Sequence, residues 1–108
     1  MVKPTDEEVE DLKGRILLDL LKHGYVGGRH TNINNIPKGF PKNERKLVKK
    51  VAKILITEYI IDSHPTSYGT EISINPGQVS EIIELQVIVE ACNNDPFLEA
   101  KIRKYVGS

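Results

Sequence analysis

The spacing of the hydrophobic residues changes between residues 57 and 71, and this change restricts the fold more than any other feature. Before it the period is helical, with one apolar face made of Leu47, Val51, Ile54 and Leu55. After it, Ile72 and Ile74 alternate with polar residues, which is typical of a half-buried strand. Tyr59 to Ile61 reads as the partner strand, and Pro65 and Gly69 in "HPTSYG" predict the turn of a hairpin. The sequence therefore predicts an α+β domain.

Further helices flank this unit. Thr5 and Glu8 form a capping box that predicts a helix ending at Gly24, with Gly14 as a weak point in its interior. A short strand is expected near Tyr25 to His30, and a short irregular helix within "NINNI". Two C-terminal helices follow, with the N-caps Asn75 and Asp95, each placed before a proline.

The charge of the chain is unevenly distributed. Fifteen basic and fifteen acidic residues give a net charge of zero. Residues 38–53 nevertheless hold seven basic residues and one acid, Glu44, so this stretch carries +6 and the rest carries −6. Residues 6–11, "DEEVED", supply five of the acids. This asymmetry indicates one face adapted to a polyanion.

A basic amphipathic helix followed directly by "EYIIDSHPTSYGTEISINP" resembles the winged helix-turn-helix family, over residues 12–75. The stretch "HTNINNIPKGFPKNERKLVKKVAKILI" is also similar to small archaeal proteins of this class. The resemblance implies a winged helix-turn-helix core over residues 1–78, with the hairpin as the wing. Residues 79–108 then form a C-terminal helical extension that packs on the core and is a candidate dimer interface.

The resemblance also implies a function: duplex DNA binding in transcriptional regulation, with residues 42–56 as the recognition helix in the major groove. Asn43 is then expected to pair with adenine and Arg45 with guanine. Phosphate contacts are expected from the lysines of this helix, and flanking contacts from three residues outside it. The full set of expected DNA-binding residues is Arg29, Lys38, Lys42, Asn43, Arg45, Lys46, Lys49, Lys50, Lys53 and Tyr68.

Other interpretations of the same residues stay open. A lysine-rich helix face is often only solvated surface, and the wing has no lysine or arginine. Tyr68 either contacts the nucleic acid or packs at the hairpin base, and the residues around Arg29 also suit plain turn chemistry. The main alternative function is a protein-interaction module whose basic helix docks an acidic partner. RNA binding is less favoured, because few aromatic residues are available for base stacking.

The C-terminal segment "VSEIIELQVIVEAC" is apolar almost all round, so one stripe is expected on the core and the remainder needs another cover. The last helix or a second chain can supply it. We favour a homodimer, with Val87 and Ile88 on the outer side.

Several classes of function find no support in the sequence. There is no signal peptide and no apolar run of about 20 residues, and a single cysteine fits a reducing cytoplasmic setting. The three histidines and Cys92 do not stand at zinc-site spacing, and Cys92 is expected to be a buried, inert thiol. We find no enzyme signature and expect no cofactor.

Overall fold

A computed structural model describes residues 3–106 and has an α+β architecture. The α-helices are α1 (Asp6–Lys22), α2 (Arg45–Thr57), α3 (Val79–Ile82), α4 (Gln86–Asn94) and α5 (Pro96–Arg103). The strands are β1 (Thr31–Asn32), β2 (Ile61–Thr66) and β3 (Gly69–Ile74). Four 3-10 turns lie at Ile33–Asn35, Pro37–Gly39, Lys42–Glu44 and Pro76–Gln78. Up to β3 the order of elements therefore follows the predicted one, with 3-10 turns in place of the short helix.

The helix ends obey the capping rules that predicted them. The backbone N–H of Glu8 donates to Thr5 Oγ1 at 3.1 Å, and Gly24 ends the α1 segment with a φ of +75°. The second half of the capping box differs, because the Glu8 carboxylate accepts from the Thr5 hydroxyl rather than from its backbone. Asp95 caps α5 by accepting from the N–H groups of Phe97 and Leu98.

The three strands form an antiparallel sheet in the order β1-β3-β2. The hairpin is longer than predicted, since His64, Pro65 and Thr66 are paired with β3 and only Ser67 and Tyr68 form the loop. Pro65 is tolerated because β2 is an outer strand, where the missing N–H removes no bond to a further strand.

Two strand boundaries were predicted wrongly. The first strand lies at residues 31–32 rather than near 25–30, because the Gly27 turn (φ +64°) leaves Val26 only an isolated bridge to Ile74. Tyr59 is not in a strand: its φ of +61° places it in the left-handed turn that ends α2. There the N–H of Ile60 donates back to the carbonyl of Leu55, as in a Schellman motif.

One continuous core joins the C-terminal helices to the rest. The buried set includes residues from α1, α2, the sheet and the extension, among them Ile16, Leu55, Ile72, Ile88 and Ile102. Residues of the C-terminal segment, such as Ile88 and Ile102, therefore share one core with the preceding part of the chain.

The predicted helix after Asn75 is interrupted. It divides into a 3-10 turn, α3 and α4, with an extended Leu85 between the two helices. Within α4, Ile88 is fully buried, so its predicted place on the outer side is wrong. Val87 is half-buried and packs on Gly14: a Cβ built on that glycine would lie 3.0 Å from Val87 Cβ. Val87 of α4 thus occupies the space that a side chain at residue 14 would need, which explains a glycine inside a helix.

Candidate nucleic-acid interface

Four lysines form one exposed face of α2. Its buried stripe consists of Val48, Val51, Ala52 and Leu55. Opposite this stripe, at 100° per residue, the exposed lysines cover an arc of roughly 100°. We call them the lysine face: Lys46, Lys49, Lys50 and Lys53. The sequence predicted this face, although it wrongly placed Ile54, which is 37% exposed, on the buried side.

Each half of the lysine face borders a groove. On one flank, Lys49 and Lys53 line a cavity of about 170 Å³ with Asn34 and Pro37 of the preceding turns. On the other flank, Lys46 and Lys50 line a cavity of about 400 Å³. The remaining walls of this second groove are Lys3, Pro4, Glu8, Asn43 and Leu47. The lysines therefore point to both sides of the helix axis.

The one acid of the basic stretch is directed away from this face. Arg15 of α1 donates to both carboxylate oxygens of Glu44, at 3.1 and 2.9 Å. These hydrogen bonds lower the pKa of Glu44 below its usual value and raise that of Arg15. Within residues 3–106 no ion pair involves a lysine of the face. The positive charge of α2 is therefore not neutralised by its own sequence neighbour.

Arg45 has a structural contact that the sequence did not predict. Its Nε donates to the carbonyl oxygen of Phe40 at 3.0 Å, and the side chain is half-buried. The Arg15 guanidinium lies 5.3 Å above the Phe40 ring. Arg45 thus anchors the turn before α2, and its predicted role as a guanine reader remains a prediction. Asn43 and Lys42 are exposed in the 3-10 turn at the same end of the helix.

The asparagine-rich turn before α2 is held by its own side chains. Asn32 accepts from the N–H of Asn34 at 2.8 Å, and Asn35 donates to Thr31 Oγ1 at 3.0 Å. Exposed Lys38 donates to the side-chain oxygen of Asn35 at 3.3 Å. These contacts match the turn-chemistry interpretation of the asparagines.

The hairpin tip, Ser67 and Tyr68, carries an exposed aromatic ring. Tyr68 is 92% exposed, so the interpretation that it packs at the hairpin base is wrong. The tip also lies near the asparagine turn: a Cβ built on Gly69 would lie 3.3 Å from Asn32 Nδ2.

Arg29 contacts the turn that follows α1. Its guanidinium stacks over the Tyr25 ring at 5.5 Å, and Nη1 comes within 3.9 Å of a Cβ built on Gly24. Both neighbours directly follow α1, and neither belongs to α2.

Sequence reasoning missed a pair of stacked histidines. The rings of His30 and His64 lie 4.2 Å apart at 21°, and His30 Nδ1 is 3.9 Å from a carboxylate oxygen of Glu71. The pairing of His64 with Glu71 across the hairpin creates this proximity. Only the strand register, which the sequence left undefined, could have revealed it.

The described residues give little evidence for other kinds of functional site. Among residues 3–106 no group of three or more metal-ligating side chains could hold a metal ion, and no helix there is long and apolar enough to cross a membrane. Burial, followed by the nearby Glu99 charge, raises the pKa of the Cys92 thiol, which disfavours a reactive thiolate. No protein-family model, curated protein or solved structure matches the chain.

Proposed function

We propose that the protein binds duplex DNA through the lysine face of α2 and acts in transcriptional regulation. The observation that carries this proposal is the set of four exposed lysines without ion-pair partners among residues 3–106, on the side of α2 opposite its buried stripe. The order β1-β3-β2, with α2 directly before the hairpin, supports assignment to a winged helix-turn-helix fold. In that fold α2 is the recognition helix.

The dimensions of α2 suit the major groove. A helix with its side chains is about 10–12 Å wide, which matches the roughly 12 Å width of the groove. Lys49 and Lys50 lie at the two margins of the lysine face and so reach toward opposite phosphate rows. Lys46 and Lys53 lie nearer the centre and point toward the base edges, with Asn43 at the N-terminal end. Release of counterions from the contacted phosphates then contributes a large share of the affinity.

A salt titration with paired variants tests this proposal. The double variant Lys49→Gln/Lys50→Gln removes the two marginal lysines. The control, Lys22→Gln/Lys104→Gln, makes the same charge change at exposed lysines outside α2. Affinity for a random 20-base-pair duplex is measured by fluorescence anisotropy at several salt concentrations.

Each lost phosphate contact lowers the slope of log K against log salt by about 0.9. The α2 variant should therefore lose about 1.8 from the slope, while the control keeps the slope of the unaltered protein. The slope difference corresponds to roughly a 12-fold change in relative affinity between 50 and 200 mM salt. Equal slopes for all three proteins, with unchanged melting temperatures, would refute the proposal.

The absence of lysine and arginine from the hairpin favours a second candidate, in which α2 docks an acidic protein. This candidate predicts negligible binding of random duplex and of single-stranded RNA at moderate salt. Salt-dependent duplex binding that is lost in the α2 variant rejects it.

We also propose that the chain forms a homodimer through the outer surface of α4 and α5. Phe97 is 87% exposed there, and Val89 is 36% exposed. Sedimentation at high micromolar concentration should show a dimer that Phe97→Ser weakens. A 12.1 kDa monomer for the unaltered chain would end this proposal.

A further inference from the structure

The hairpin tip combines exposure with an absence of positive charge. Tyr68 is the most exposed of the large hydrophobic side chains in the described residues, at 92%. Residues 58–74, which include the whole hairpin, contain no lysine or arginine. The carboxylate side chains of the hairpin strands, Asp62 and Glu71, are acidic. Such a hairpin is poorly suited to grip a phosphate backbone.

The loop that carries Tyr68 is held in place by hydrogen bonds. Thr66 Oγ1 accepts from the N–H of Tyr68 at 3.1 Å and donates to the carbonyl of Gly69 at 2.6 Å. Gly69 has a φ of +120°, a conformation that favours glycine. The ring is therefore presented to solvent by a defined turn.

The tip adjoins the lysine face through the asparagine turn. Asn32 lies against Gly69, at 3.3 Å from its built Cβ, and also caps the N–H of Asn34. Asn34 in turn lines the groove with Lys49 and Lys53. Two residues of chain, at most about 7 Å, separate Asn32 from Asn34. Nucleic acid held by Lys49 and Lys53 would thus extend past the tip.

An exposed aromatic ring without a neighbouring cation offers one main interaction to DNA, which is stacking on a base. Bases inside a duplex are paired and stacked on their neighbours, whereas an unpaired base beyond a fork can leave the stack and offer its face to an aromatic ring. Resting on the proposed function, we propose that the protein prefers junctions between double- and single-stranded DNA. The lysine face holds the duplex, and Tyr68 stacks on the first unpaired base.

The test compares two substrates that differ only at the junction. One is a blunt 20-base-pair duplex, and the other is the same duplex ending in a short unpaired fork. Affinities are measured by fluorescence anisotropy for the full chain, for Tyr68→Ser and for Tyr68→Phe. The control is Tyr59→Asn, which removes another strongly exposed tyrosine ring. Asparagine is chosen because residue 59 has a positive φ, a conformation that asparagine adopts more readily than most residues.

Stacking on one base corresponds to roughly 5- to 150-fold tighter binding. We expect a fork preference of this size in the unaltered protein, in Tyr68→Phe and in Tyr59→Asn, and its loss in Tyr68→Ser. Blunt-duplex affinity should be the same for all four. Because the chain has no tryptophan, Tyr68→Trp adds a single indole reporter, whose emission should change with the fork and not with the blunt duplex.

The outcomes separate this inference from the proposed function. Equal binding of fork and blunt duplex by the unaltered protein overturns the inference alone, as does a fork preference that survives in Tyr68→Ser. Failure to bind either substrate overturns both. A fork preference that disappears with Tyr68→Ser and returns with Tyr68→Phe supports the stacking role.

Discussion

Replacing Gly14 with alanine would place a methyl group against Val87. The added Cβ would lie 3.0 Å from both Cβ and Cγ2 of Val87. Carbon atoms normally approach to about 3.5–4.0 Å, so the new contact is about half an ångström too short. Alanine is favoured over glycine in a helix by about 1 kcal/mol, and overpacking costs about 1–3 kcal/mol. We therefore expect Gly14→Ala to lower the free energy of unfolding by about 1 kcal/mol.

The effect of Gly14→Ala on the free energy of unfolding should change sign when the side chain at residue 87 is shortened. Val87→Ala removes the Cγ2 contact and keeps the Cβ contact, so Gly14→Ala should be nearly neutral in that background. Val87→Gly removes both contacts, and Gly14→Ala should then stabilise the protein by about 1 kcal/mol, the bare helix preference. The coupling between the two sites is thus about 2 kcal/mol.

Urea unfolding followed by circular dichroism measures each free energy, with melting temperatures as a second readout. Gly28→Ala is the control, since a Cβ built there has open space around it. If Gly14→Ala stabilises the protein with valine still at residue 87, α4 does not pack on α1 at this point.

Three further predictions concern single residues. Tyr59→Gly should raise the free energy of unfolding by about 1 kcal/mol, because the left-handed conformation costs an L-residue about 1–2 kcal/mol and the ring is 76% exposed. Tyr59→Ala should give no such gain, and thermal melting of both variants measures the difference. Glu44→Gln should lower the melting temperature at pH 7. Because the Glu44 pKa is lowered in the folded state, the stabilisation by its ion pair with Arg15 is present above the unfolded-state pKa and is lost as the pH falls through the folded-state pKa. A melting-temperature difference between the two proteins that persists at pH 2 would contradict this prediction. Cys92 should react with a maleimide more slowly than a free cysteine at pH 8, because its raised pKa leaves less thiolate; an equal rate would show that the thiol is not shielded.

Local signals in the sequence accounted for much of the fold. The helical period around Val51, the alternation at Ile72 and the cap at Asp95 each depend on neighbouring residues, and each led to an element that the structure contains. The break before α4 had no such signal, since neither glycine nor proline lies between Val79 and Asn94. In this segment Val87 packs on Gly14 and Ile88 is buried in the core. These tertiary contacts are present where the helix is broken, and local helix preference does not predict the break.

The candidate site divides in the same way. The lysine face follows from helical periodicity alone. The Arg15–Glu44 pair joins residues 29 positions apart, and the contact between Asn32 and Gly69 joins the neighbouring strands β1 and β3, so both depend on the tertiary fold. The sequence therefore indicated where the positive charge lies, but not that Glu44, the one acid of the basic stretch, is paired with Arg15.

Pro65 in the outer strand has a consequence for how the protein behaves at high concentration. An unpaired strand edge is a template on which further chains can add, which is a route to fibrils. On one side of this sheet the outer strand β2 has no N–H to offer at Pro65, and on the other side β1 is two residues long. Growth of the sheet is therefore discouraged at both edges. The hairpin can extend into solvent, with its backbone exposed, without recruiting copies of itself.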